Sequence, residues 1–232
     1  MTSDASTDPT GTDDIIRYTG YSVYRRTSGL DRDNASAAEE LTALVRDLAG
    51  RDVVVRGFYD VSGMRADADL LVWWHAPTAE ALQAAARALR ATAVGRGTAA
   101  TWSVIGLHRQ AEFNKAHVPA FLAGEPPRQW VTVYPFVRSH EWYLLPETER
   151  RALLGEHGML GRDHPDVLTN TVAGFALGDY EWLLAIESDQ LHEIVDMMRH
   201  LRVSATRRHV RLETPFFTGR RIDEAGVVEV LE

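Results

Sequence analysis

The chain has 232 residues, 45% hydrophobic and 25% charged, the balance of a globular protein with a real core. It has no cysteine, which excludes disulfides, thiolate metal sites, iron–sulfur clusters and cysteine nucleophiles and suits a reducing cytoplasm. A formal net charge of -8 argues against a general nucleic-acid binder, and no run approaches the roughly 18 consecutive apolar residues of a membrane helix.

Residues 1–16 are polar and acidic, without a basic start or an apolar run, and read as a disordered tail rather than a signal peptide. The first predicted strand is 18–26, with Tyr21, Val23 and Tyr24 its most strand-like residues. Ser36 and Glu39 then form a capping-box pair ahead of Leu41, Leu44, Val45 and Leu48 at helical spacing, and Gly50 stops that helix. Strands are predicted at 53–59 and 69–75, with Gly63 in the turn between them. Pro77 and Thr78 open an Ala-rich helix to about residue 94, ended by Gly95 and Gly97, and a strand follows at 101–107. The order is β-α-β-β-α-β.

The same order recurs after a linker at 113–128 that contains Pro119, Gly124, Pro126 and Pro127. Residues 130–137 read as a strand and 146–157 as a helix terminated by Gly158. Strands at 167–177 and 181–187 flank a Gly178-Asp179 turn. Asp189 is placed to cap a helix carrying Leu191, Ile194, Val195 and Met198, and 209–217 supplies the last strand. The halves 17–112 and 129–232 are thus two ferredoxin-like units. The expected class is α+β: a dimeric α+β barrel formed by both halves of one chain, with room for a flat ligand between a sheet and its helices.

Common catalytic motifs are missing: no Gly-rich phosphate loop, no H-E-x-x-H, no G-x-S-x-G and no calcium loop. The basic residues are arginines except for Lys115, which reflects either carboxylate recognition or codon usage. Among nine histidines, His75, His108, His192, His200 and His209 read as structural or solvent-facing. His157 differs, because it is predicted at a helix end before a glycine-rich turn, Gly158-Met159-Leu160-Gly161-Arg162. Spacing alone leaves two readings open: an axial donor to heme iron, or a C-terminal histidine that satisfies the last helix carbonyls.

The run Tyr134-Pro135-Phe136-Val137-Arg138, then Glu141-Trp142-Tyr143, then His157 to Arg162, resembles the chlorite dismutase-like superfamily. Glu181-Trp182, Met198-Arg199 and Val203-Ser204-Ala205 extend the likeness, which is closest to the actinobacterial type of coproheme decarboxylase. It covers the chain from Tyr18 onward and is most specific from Trp130 to Ser204. The resemblance implies a double ferredoxin-like barrel, usually a homopentamer, with a porphyrin in the C-terminal half. It implies His157 as proximal iron ligand and Tyr134 as the radical-forming tyrosine. Arg138 would lie beside the reacting propionates, with Arg199 and Ser204 as further propionate contacts and His117 as the distal histidine.

The implied activity is hydrogen peroxide-dependent conversion of two propionates of iron coproporphyrin III (coproheme) to vinyls. The product is heme b, formed through an iron-oxo species and a tyrosyl radical. The porphyrin would be substrate and redox cofactor together. A distal histidine could move the peroxide proton from one oxygen to the other, and a phenoxyl radical could take hydrogen from a propionate side chain. Chlorite dismutases rely on a distal arginine on the strand after the proximal histidine. No arginine lies between Arg162 and Arg199, so chlorite chemistry is not expected. Other decarboxylases of the superfamily carry a glutamine there, and Asn170 or a neighbour is the apparent replacement. The competing reading is a non-catalytic heme carrier on the same barrel, and a third is a plain peroxidase. No nucleic-acid or membrane partner is expected, and the location implied is cytoplasmic.

Overall fold

The computed structural model describes residues 16–31, 33–109 and 118–232, and it places strands where β-branched and aromatic residues cluster. The first half contains β1 (Tyr18–Arg26), α1 (Asn34–Ala49), β2 (Val54–Asp60), β3 (Leu70–Ala76), α2 (Ala79–Ala91), the short α3 (Ala93–Arg96) and β4 (Thr98–Leu107). The second contains β5 (Trp130–Arg138), α4 (Glu147–Gly161), β6 (Leu168–Ala173), β7 (Trp182–Ser188), α5 (Leu191–His200), β8 (Val210–Leu212), β9 (Phe217–Ile222) and α6 (Glu224–Val230). Among the described residues, no helix is long and apolar enough to cross a membrane.

The first half has strand order β4-β1-β3-β2, and the second repeats it as β9-β5-β7-β6. The sheets join at two seams. β2 pairs with β9 from Phe58↔Ile222 to Asp60↔Arg220, and β4 meets β6 at Leu107↔Ala173. Eight strands therefore close into one barrel, as the duplicated pattern predicts. Every strand has an inward and an outward set of side chains. Inward, Tyr21, Val23, Leu71, Trp73, Val131, Val133, Leu183 and Phe217 pack into a filled interior.

That interior also holds charge. A β-bulge between Val55 and Gly57 turns Arg56 inward, where it forms an ion pair with Glu187 at 2.8 Å, both side chains almost wholly buried. Arg56 also stacks over Trp73, 4.9 Å from the ring centroid, and donates to the Glu125 carbonyl. Glu187 additionally accepts from the Arg128 backbone and the Asn170 amide, and Asn170 accepts the Phe121 N–H. The far part of the linker is thereby tied to both sheets, and Phe121 is buried among the barrel aromatics.

The outward faces are covered unequally. On the first half, α1, α2 and α6 bury eighteen hydrophobic residues, whereas the corresponding cluster under the second half's helices has five. α4 has no fully buried residue. Its inward face, Leu153, Leu154, His157, Leu160 and Gly161, is only half-buried.

Several details differ from the sequence expectations. The cap of α1 is Asp33, whose carboxylate accepts the Ser36 N–H and hydroxyl. A carboxylate outcompetes Ser36 for the orphan donors, so the helix starts earlier. Gly95 lies inside α3 rather than ending a helix, because Thr92 breaks the run and caps α3. Asp189 accepts from Gln129 instead of capping α5. The strand predicted at 167–177 stops at Ala173, before a turn that contains Ala176 at φ 62°. The predicted last strand is two strands separated by the Thr214-Pro215 step, followed by α6. Most relevant to the site, α4 continues through Gly158 to Gly161. One interior glycine costs only about 1 kcal/mol, and Pro165 is the residue that limits the helix.

Two stability predictions follow from the buried groups. Arg56→Met leaves Glu187 charged and unpaired in the barrel, so urea unfolding should show a loss of about 3–5 kcal/mol. His75 accepts from Arg17 Nε at 2.6 Å and, chiefly through burial and then the Arg17 charge, its pKa falls to about 3. The unfolded chain takes up that proton near pH 6.5, so stability contributed by neutral His75 is lost as pH falls from about 6.5 to 3, by up to about 1.4 kcal/mol per pH unit. His75→Gln keeps an acceptor and should reduce this acid-side slope by one proton; an unchanged slope would refute the assignment.

Candidate porphyrin site in the second half

The outward residues of the second sheet form rows that follow from its register. Tyr134 on β5 pairs with Leu184 on β7, which pairs with Thr171 on β6. One step along, Thr132, Ile186 and Thr169 form the next row. The floor beneath α4 and α5 is therefore apolar with a few hydroxyls, and Tyr134 is its phenol.

Tyr134 is 5% exposed. Its ring stacks on Phe216 with centroids 4.5 Å apart and 22° between planes, and its hydroxyl donates to Met198 Sδ at 3.7 Å. Burial, then the nearby Glu213 carboxylate, pushes the phenol pKa far above its usual value, while Arg202 and Arg207 oppose the shift. The phenol is protonated at neutral pH. Arg138, four residues along the same strand, lays its guanidinium over Trp142 at 4.0 Å and Phe136 at 4.5 Å, while its backbone N–H donates to Glu181. Two aromatic faces hold the cation at the end of the row.

His157 lies on α4, one turn before the helix end. Its Nδ1 is 3.5 Å from the Thr206 hydroxyl, which meets the Ser204 hydroxyl at 2.9 Å. Ser204 and Thr206 are buried in the turns that follow α5, and Glu156 accepts the Ala205 N–H, tying α4 to that segment. Burial and then the Arg138 charge lower the His157 pKa, with Glu156 acting the other way. The imidazole is neutral at pH 7, and Nδ1 faces a hydroxyl while Nε2 is left for a ligand.

These features fit an iron porphyrin. A Cβ built on Gly161, on the inward face one turn from His157, would meet no atom within 4 Å. The floor is apolar, and a single neutral imidazole suits an iron that arrives with its equatorial donors in the macrocycle.

The structure thus brings Tyr134 and Arg138 together on β5 and links His157 to Ser204 through Thr206. Ser204 spends its hydroxyl on Thr206 and on the Thr206 N–H. Arg199 is exposed on the last turn of α5. His117 lies outside the described residues. Asn170 points into the barrel interior, where it is 1% exposed and bonded to Phe121, Ala185 and Glu187. It is not a distal residue; the β6 side chains facing α4 are Thr169, Thr171 and Ala173. Sequence reasoning placed Met198 in a matching run but gave it no role, and it missed Thr206 and Phe216, and also Glu213 with its partners Arg202 and Arg207. None of these has a distinguishing spacing.

Thr206→Val removes the group facing His157 Nδ1 while keeping its shape. Titration of ferric porphyrin, followed by Soret absorbance, should show affinity reduced by about 10–100-fold. Affinity equal to the native chain would mean that Thr206 does not orient the imidazole.

A family model described as chlorite dismutase matches residues 34–222. A protein of Mycolicibacterium smegmatis named coproheme decarboxylase is 53% identical over 218 residues, covering 93% of this chain and 94% of its own. Among solved structures, a variant of the chlorite dismutase from Candidatus Nitrospira defluvii superposes with TM-score 0.80 at 20% identity, covering 93% of this chain and 95% of its own. The same organism's chlorite dismutase in complex with imidazole gives TM-score 0.79 at 20% identity, with the same coverage. The match across most of the length, with the shared fold, makes this chain a member of the chlorite dismutase family.

Proposed function

We propose that the chain is a coproheme decarboxylase, converting two propionates of iron coproporphyrin III to vinyls to give heme b, with hydrogen peroxide as oxidant. The observation that carries this reading is the 53% identity, over nearly the whole length, to a relative of that name. The buried phenol on the porphyrin-facing sheet supports the enzyme over a heme carrier, which needs His157 but has no use for Tyr134. Chlorite chemistry has no support, because the β6 positions facing α4 are Thr169, Thr171 and Ala173.

When bound, the iron porphyrin supplies peroxide activation and the side chains that are lost. The chain's residues do the rest. His157 offers a neutral Nε2 to the metal, its ring oriented by Thr206. Tyr134 holds a proton on its hydroxyl and can surrender it with an electron, so it is the hydrogen-atom carrier between ring and propionate. Arg138 steers the reacting edge: a unit-charge pair at about 4 Å is worth about 4 kcal/mol at an effective dielectric of 20. Each of four propionates is ionised at neutral pH, so one fixed cation is enough to select an orientation. Ser204 acts on His157 through Thr206, and Arg199 is a rim contact. His117 is the distal group that moves the peroxide proton. A homopentamer in the cytoplasm belongs to the same proposal, and the lack of cysteine suits it.

Purified protein given iron coproporphyrin III and peroxide should yield a porphyrin lighter by two HCOOH equivalents in mass spectrometry. Tyr134→Phe should bind the porphyrin with little change and leave its mass unaltered. His157→Ala should weaken binding and alter the iron spectrum. Normal turnover by Tyr134→Phe would remove the phenol from the reaction.

A further inference from the structure

Building on the reading of Tyr134 as the residue that is oxidised, we infer that Met198 is a positioning residue: it holds the phenol against a non-basic acceptor, so Tyr134 is oxidised only when a ligand carboxylate reaches its hydroxyl.

The geometry is specific. The Tyr134 hydroxyl donates to Met198 Sδ at 3.7 Å, and the ring is fixed by its stack on Phe216. A thioether accepts a hydrogen bond weakly and does not take up a proton in water. With 5% of the residue exposed, bulk water is a poor substitute. The carboxylate whose charge reaches the phenol is Glu213, which is already engaged by both Arg202 and Arg207. Phenol oxidation is accessible when the proton leaves with the electron, because a radical cation that keeps its proton lies far higher in energy. Among the described residues, those around Tyr134 provide an acceptor for the hydrogen bond and none for the proton.

A propionate changes this. In the step assigned here the Tyr134 O–H bond breaks, its proton passes to a carboxylate oxygen of the ligand, and its electron passes to the porphyrin. Hydrogen peroxide, reduced to water, has previously oxidised that porphyrin. A porphyrin without a propionate at this position would leave the proton on Tyr134 and the phenol unoxidised. The arrangement protects the tyrosine before substrate arrives and after the local side chain has become a vinyl.

The test compares iron coproporphyrin III with its tetramethyl ester in the full-length protein, each mixed with peroxide. The readouts are the tyrosyl signal in electron paramagnetic resonance and modification of the Tyr134 peptide by mass spectrometry. In native protein the ester should give about a hundredfold less Tyr134 oxidation than the free acid, the scale of a lost general base. Met198→Glu supplies a base and should restore oxidation with the ester, whereas Met198→Gln, an acceptor without basicity, should not. The same variants oxidised without porphyrin by hexachloroiridate(IV) should rank alike at the Tyr134 peptide, so the test survives poor ester binding. Equal oxidation from ester and acid in native protein, or equal effects of the Gln and Glu variants, would overturn the gate. Should coproporphyrin keep its mass while Tyr134 oxidation still depends on a carboxylate, the substrate reading fails and the gate stands.

Discussion

Closure of two sheets into one barrel is the constraint from which the other features follow. A closed barrel of eight strands has an interior that side chains must fill, and both halves contribute to it. The Arg56–Glu187 pair sits at that junction. Isolated, either charge would cost several kcal/mol to bury. Here the bidentate guanidinium, the Trp73 face, the Asn170 amide and two linker backbone groups, the Glu125 carbonyl and the Arg128 N–H, satisfy it. The pair fixes how the halves register and where the linker runs, more than it adds net stability.

With the interior filled, what distinguishes the halves is how their outward faces are covered. The first half seals its face: α1 and α2 present Leu41, Leu48, Leu82 and Leu89, and α6 returns from the far end of the chain to add Val227, Val228 and Leu231. The second half does the opposite. α4 brings glycines at 155, 158 and 161 and no buried apolar residue, so it cannot close on the sheet. Its position is held instead at its end, by Glu156 to the Ala205 backbone and by the contact between His157 and Thr206. Duplication thus yields one half whose outward face is sealed and one whose face is left less covered.

The strands were legible because they obey a local rule. The first ran from Tyr18 to Arg26 as expected, since β-branched and aromatic residues mark a pleated surface whatever lies opposite. Helix ends were less legible, because caps depend on which acceptor wins, as with Asp33 over Ser36. The chemistry separated in the same way. Tyr134, Arg138 and His157 lie in the runs that carry the family resemblance. Thr206 meets His157 across 49 residues and Met198 meets Tyr134 across 64, contacts that no periodicity encodes. Asn170 shows the cost of a single step: on a strand, one residue decides between barrel interior and ligand face, and position 170 falls inward.

The same parity gives Tyr134 a setting that the other tyrosines lack. Inward tyrosines such as Tyr21 and Tyr59 are sealed in the core. Tyr143, at the surface, donates to the Glu181 carboxylate and accepts from Trp182 Nε1. Tyr134 is neither, because it points outward beneath a helix pair that does not close. It is shielded from bulk water, and α4 above its face of the sheet has no buried residue. Phe216 and Met198 complete that environment from β9's approach and from α5, one fixing the ring plane and the other occupying the hydroxyl without activating it. Under the proposed gate, a phenol held in this way is inert by default, and what reaches it determines when it reacts.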